Sequence, residues 1–200
     1  YDDKLIKGHQ RLTREIKSHG SLAVIQLHHA GMRSPKELIG EAAVSSSSIE
    51  KYGSRGLRLE EVEALRDDFI RDAKRSQECG YDGVEIHGAH GYILAQFLSG
   101  TINQRQDQFG GSIENRMRPI TEIIDGIRTR CRKNFLLGLR LSLERFDVQL
   151  PDIIEVAYSV LSDGKIDFLD MPLWDSFKDP EGKAFKGRTL LSYFSELDRG

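Results

Sequence analysis

The chain has 200 residues, 38% of them hydrophobic and 30% charged, with a formal charge of -2 at neutral pH. That balance suits one soluble domain; Lys and Arg are interspersed with Asp and Glu, which argues against nucleic acid as a partner, and no apolar run approaches the roughly twenty residues that cross a membrane. The opening YDDKLIKGHQ lacks the charged-then-apolar layout of a secretory leader, so a cytoplasmic protein acting on a small-molecule substrate is the expectation.

Residues 5–17 place Leu5, Ile6, His9, Leu12 and Ile16 at helical spacing, and His19-Gly20 supplies the stop. Residues 22–28 follow as an apolar strand, on which Gln26 and His28 share a face with Val24 because successive strand side chains alternate. Residues 34–58 hold no sustained period, and the serine run at 45–48 reads as part of a surface loop. From Leu59 a helical pattern turns Val62, Leu65, Phe69, Ala73 and Ser76 inward, and Gly80 stops it. Cys79 and Cys131 lie too far apart for a short redox or metal motif, and both read as buried thiols.

The densest stretch comes next, YDGVEIHGAHGYILAQFLSG at 81–100. A short alternating apolar segment at 83–86 runs into HGAHGY, so a strand delivers two imidazoles and a phenol from its C-terminal end. One or two helical turns and a polar loop lead to Gly110-Gly111, after which Ser112 is placed to cap a helix over 113–131. Its inward side is Ile113, Met117, Ile120, Ile123, Ile124 and Ile127, and Pro119 is expected to kink it.

In NFLLGLRLSL, Leu137, Leu139, Leu141 and Leu143 face one way and Gly138, Arg140 and Ser142 the other. A lone guanidinium therefore enters the interior and calls for an anionic partner. A helix over 151–163, a strand over 165–170, a loop with Asp179-Pro180 and Gly182 as turn signals, and a helical stretch to Arg199 complete the chain. Helix and strand alternate throughout, which means a parallel sheet with right-handed crossovers, either doubly wound or a (β/α)8 TIM barrel. Polar residues gathered after strand ends favour the barrel. Four strands are half a ring and would leave open edges, so residues 1–200 are expected to be a partial barrel domain within a longer protein.

The stretch HGAHGYILAQFLSGTINQRQDQFGGSIENRMR resembles the signature of the old yellow enzyme family, the FMN-dependent NAD(P)H:flavin oxidoreductases and ene-reductases. VIQLHHAG is similar to that family's third-strand motif and LLGLRLS to its fifth-strand arginine motif. Over about residues 1–170 the order of elements agrees with the second helix through the sixth strand of the family's barrel. One departure stands out: after HAG the family usually has Arg, whereas here Met32 precedes Arg33.

The resemblance implies FMN and NAD(P)H as cofactors, and hydride passed to an activated alkene or similar acceptor with ping-pong kinetics. It implies that His87 and His90 hold the acceptor's oxygen, where two N–H donors stabilise the charge that develops as hydride arrives. Tyr92 matches the proton donor, Gln26 the residue on the flavin pyrimidine edge, and Arg140 the cation near flavin N1 and O2, where reduction leaves negative charge. His28, two residues beyond Gln26 on the same face, is expected to touch substrate. Read without the resemblance, the histidine pair is a zinc half-site or core packing, Tyr92 a buried aromatic, and Arg140 the partner of Glu85.

No third ligand accompanies the histidines in sequence, so no metal is assigned. Arg105, Asp107, Asn115 and Arg116 read as a structural network between loop and helix. Two competing readings remain: a partial barrel that does not bind FMN by itself, and a metal-dependent barrel hydrolase, which would need ligands from several strand ends. Homo-oligomerisation is compatible with each.

Overall fold

The computed structural model describes residues 3–173, 175, 177–182, 185, 187–195 and 197. A 3-10 turn at Asp3–Leu5 leads into α1 (Ile6–Ser18) and β1 (Val24–Leu27). An excursion follows: a 3-10 turn at Gly31–Arg33, α2 (Lys36–Ile39), β2 (Val44–Ser45), a 3-10 turn at Glu50–Tyr52 and β3 (Arg55–Gly56). Then come α3 (Leu59–Glu78), β4 (Gly83–Gly88), α4 (Ile93–Leu98), α5 (Ile113–Arg130), β5 (Leu136–Leu141), α6 (Leu150–Ser162), β6 (Phe168–Asp170) and α7 (Leu190–Ser195).

The main sheet runs β1-β4-β5-β6, every pair parallel. Spatial order equals chain order, so each crossover steps the same way and, being right-handed, keeps its helix on one side. A doubly wound sheet must reverse direction to cover both faces; this one does not, which is the winding of a barrel. On the helical side Val84, Ile86, Leu137, Leu139 and Leu141 are fully buried. They meet Ile120, Ile123, Ile124 and Ile127 of α5, whose three- and four-residue steps make one apolar stripe. Each such side chain contributes roughly 1.5–3 kcal/mol by leaving water. Ser112 caps α5 by accepting the Asn115 N–H at 3.4 Å.

The other face carries the polar residues in rows set by register. Gln26, Glu85, Gly138 and Phe168 form one row, and His87, Arg140 and Asp170 the next towards the strand ends. Gly138 is required there, because a Cβ would overlap the Phe168 ring.

Several expectations need correction. The strand predicted over 22–28 pairs only over Val24–Leu27, and the one over 165–170 only over Phe168–Asp170. Residues 34–58 are not a plain surface loop. Ser45 and Ser46 are buried, Ser46 Oγ donates to Gln96 O, and Ser47 and Ser48 accept backbone N–H groups of Gln104 and Gly56. Leu5 and Leu12 are exposed, so α1 buries less of its stripe than its spacing suggests. Cys79 is buried but Cys131 only half so. Of the final helical stretch α7 covers Leu190–Ser195, and 196 and 198–200 lie outside the described residues, as does Trp174 in the preceding loop.

Candidate active site

Four rings converge at the C-terminal ends of β1 and β4. The His28 ring meets Tyr92 edge-on at 4.9 Å and His87 at 5.9 Å; His87 lies 5.0 Å from His90 and 5.3 Å from Tyr92. Local sequence explains the gathering. His87 is the inward residue of β4, His90 and Gly91 turn the chain sharply with φ of 57° and 67°, and Tyr92 is the N-cap of α4. The turn is tied down on several sides. The His90 N–H donates to Ser142 Oγ at 2.8 Å, Gly91 O accepts from Gln96 Nε2 at 2.8 Å and Arg33 Nε at 3.2 Å, and the Ile93 N–H reaches His29 O at 3.1 Å. A left-handed conformation at a non-glycine residue is costly, and it persists here because the surroundings over-determine it.

His87 is 3% exposed, and its Nδ1 has no hydrogen-bond partner. Its Nε2 lies 3.2 Å from His90 Nδ1. Burial, then the charges of His90, Arg140 and His28, push His87 down to about 4. Burial, Arg140 and Arg33 also lower His90, against an opposing pull from Asp170. Both rings are therefore neutral at pH 7, each carrying one proton, and one donates to the other across the gap.

Arg140 does not pair with Glu85. Its Nε lies 2.9 Å from Asp170 Oδ2, its neighbour in register, while Glu85 accepts from Gln26 Nε2. The buried Arg140 N–H nevertheless points off the carboxylate and makes no hydrogen bond. Gln26 and His28 are exposed on the same open face. The expected residues thus fall into two neighbouring rows: Gln26 beside Glu85, and His28, His87 and Arg140 with His90 and Tyr92 above them. A hollow of about 660 Å³ adjoins His90 and Arg140, walled by Leu143, Phe146, Pro172 and Leu173.

Four contributors escaped the sequence reading. Ser142 shares the inward face of Arg140, so its period was visible but not its task. Asp170, Gln96 and Phe146 carried no signal, because their roles depend on cross-strand register and loop path. Phe146, at φ 63°, sets its ring edge-on to His90 at 5.8 Å. Arg105 and Arg116 are bound within the fold: Arg105 grips Asp107 and the carbonyls of Ser46 and Leu57, and Arg116 binds Asp152 and Leu98 O. Among the described residues, no group of three or more His, Cys, Asp or Glu is placed to hold a metal ion, and no helix is long and apolar enough to cross a membrane.

Residues 1–180 match the model of the NADH:flavin oxidoreductase / NADH oxidase family. The Bacillus subtilis protein named "Probable NADH-dependent flavin oxidoreductase YqiG" is 35% identical over 98% of this chain and 55% of its own length. 12-oxophytodienoate reductase 1 of Oryza sativa is 36% identical over 71% of this chain and 40% of its own. Among solved structures, an old yellow enzyme homologue from Zymomonas mobilis superposes with a TM-score of 0.77 at 27% identity, covering 86% of this chain and 53% of that one. The chain spans about half the length of the relatives it matches.

Proposed function

Because this chain belongs to the NADH:flavin oxidoreductase / NADH oxidase family, we propose that it supplies the acceptor-binding side of an FMN-dependent oxidoreductase, which takes hydride from NAD(P)H and passes it to an activated alkene or similar electrophilic acceptor. The observation that carries this is the pair of neutral imidazoles, His87 Nε2 and His90 Nδ1, facing one another at 3.2 Å beside Tyr92 and Arg140.

The residues present fit a flavin. Arg140 keeps a buried N–H without an acceptor, and the exposed amide of Gln26 lies on the same open face one row away. Gln26 and Arg140 would hold the ring, the guanidinium against the edge that turns negative on reduction. FMN, when bound, supplies the two-electron carrier between nicotinamide and acceptor. Everything else falls to the chain. His87 and His90 hold an acceptor oxygen between them: both must present N–H to it, so one ring takes its other tautomer on binding, and the oxygen replaces the contact they make with each other. Being neutral, neither loses its proton to the developing enolate. Tyr92 delivers a proton to the carbon next to the carbonyl, and His28, against the Tyr92 ring, shapes the space for the acceptor.

The test is His87→Ala with His90→Ala in flavin-loaded protein. Enone turnover is expected to fall by roughly 10²–10³, as when oxyanion donors are removed, and steady-state rates of the parent should show the parallel-line pattern of two half-reactions sharing one site. Undiminished enone binding and turnover in the double variant would refute the role. The exposure of Gln26 favours a second reading, in which these 200 residues alone do not retain FMN. Visible absorption of bound flavin in the purified chain separates the two.

A further inference from the structure

Arg33 stands where the sequence departs from the family pattern: Met32, buried, fills the position after His29-Ala30-Gly31, and Arg33 follows at the end of the 3-10 turn. Although the residue is exposed, its side chain is held against the turn. Nε donates to Gly91 O at 3.2 Å, and the guanidinium lies over the Phe146 ring, 5.3 Å from its centre. A Cβ on Gly91 would meet Arg33 Nη2 and Phe146 Cβ at 3.0 Å each, so the three pack without slack. Phe146 in turn stands edge-on to His90. Guanidinium, phenyl ring and imidazole form a continuous stack from the β1 side of the rim, over the β5–α6 loop, to the β4–α4 turn.

Resting on the oxygen-holding reading above, we propose that Arg33 is a positioning residue for His90: it clamps the Gly91 carbonyl so that the strained turn holds the imidazole towards His87, and its guanidinium, seated on Phe146, keeps a positive charge near that imidazole. Three features tie this exposed arginine to the turn. The bond is made to the one carbonyl that Gln96 also secures, inside a turn whose two residues both sit at positive φ. The aromatic contact engages the ring that packs on His90. The charge, finally, acts on His90 in the same direction as that of Arg140.

The groups facing His90 are His87 on β4, Arg140 on β5, Asp170 on β6 and Arg33 on the turn after β1, with Arg145 stacked on Phe146 at 5.7 Å. Asp170 opposes the cations. Removing Arg33 tips that balance towards protonation of His90, and a doubly protonated ring can only donate to His87 Nε2 and no longer accept from it.

Two variants separate clamp from charge. Arg33→Gln keeps an amide donor for Gly91 O and removes the charge; Arg33→Met removes both. In the purified full chain, imidazole NMR titration should show the His90 midpoint rising in both variants. Amide exchange at His90 should quicken roughly tenfold in Arg33→Met, reflecting the loss of one bond from a charged donor, and stay near the parent rate in Arg33→Gln. An unmoved His90 midpoint in both, or unaltered exchange in Arg33→Met, overturns the proposal. Neither readout needs FMN or acceptor, so the inference can fail while His87 and His90 still prove essential, and the double alanine variant can fail while Arg33 still governs His90.

Discussion

At the scale of the residue, His87 is a base that the fold keeps uncharged. In the unfolded chain an imidazole titrates near 6.5, and here it is held down to about 4. The sign follows from that order. Above pH 6.5 the ring is neutral in both states and pH has no purchase. Between 6.5 and about 4 the unfolded chain binds a proton that the folded one refuses, so stability falls with pH by up to about 1.4 kcal/mol per unit and by roughly 3 kcal/mol in all. Below about 4 the loss is complete. His87→Gln should flatten urea-unfolding free energies across that window by a comparable amount; a slope identical to the parent's would place the titrating group elsewhere. The alternation of β4 was legible in its letters, and so was the inward aim of His87 and Arg140. What Arg140 meets was not. Period two puts Glu85 on the face of His87, and only the register between strands, which no single strand encodes, gives Asp170 to the guanidinium and Gln26 to Glu85.

At the scale of the element, the β4–α4 turn is the piece that sets the geometry of the imidazole pair. His90 and Gly91 both adopt positive φ, and the second must be glycine for two reasons: its backbone conformation and the 3.0 Å approach of Arg33 and Phe146. Gly91→Ala should cost about 1–2 kcal/mol from conformation alone, and more from displacing Phe146, seen as a lower urea midpoint with unchanged slope. A midpoint within error of the parent would mean that the turn relaxes freely and cannot hold His90 against His87. The long elements were readable because α3 and α5 repeat their apolar residues over five turns, and the excursion between β1 and α3 was not. Its order comes from single side-chain bonds, Ser46 to Gln96, Ser47 to Gln104 and Arg105 to Leu57 O, made to residues distant in sequence, and a polar run carries no trace of a partner it meets only after folding.

At the scale of the molecule, the sheet winds like a barrel but does not close. Among the described residues β1 and β6 each pair on one side only, and the face that carries the site lies open. Leu22 is 68% and Val24 41% exposed next to an unpaired strand edge, the combination that natural sheets cover or charge. Nothing in the β1 segment defends it: 21–27 reads SLAVIQL, with no Lys, Glu or Pro. These 200 residues on their own should therefore associate through β1, so that the sedimentation coefficient rises with concentration over roughly the micromolar-to-millimolar range in which exposed strand edges lead to aggregation. Val24→Lys puts a charge on that edge without touching the helical core, and is expected to hold the chain monomeric while leaving its unfolding free energy within about 1 kcal/mol of the parent. A parent that sediments as one monomer throughout would show that the β1 edge is shielded. A Val24→Lys variant that associates as the parent does would place the contact on β6, whose edge begins at Phe168, half-buried over Gly138.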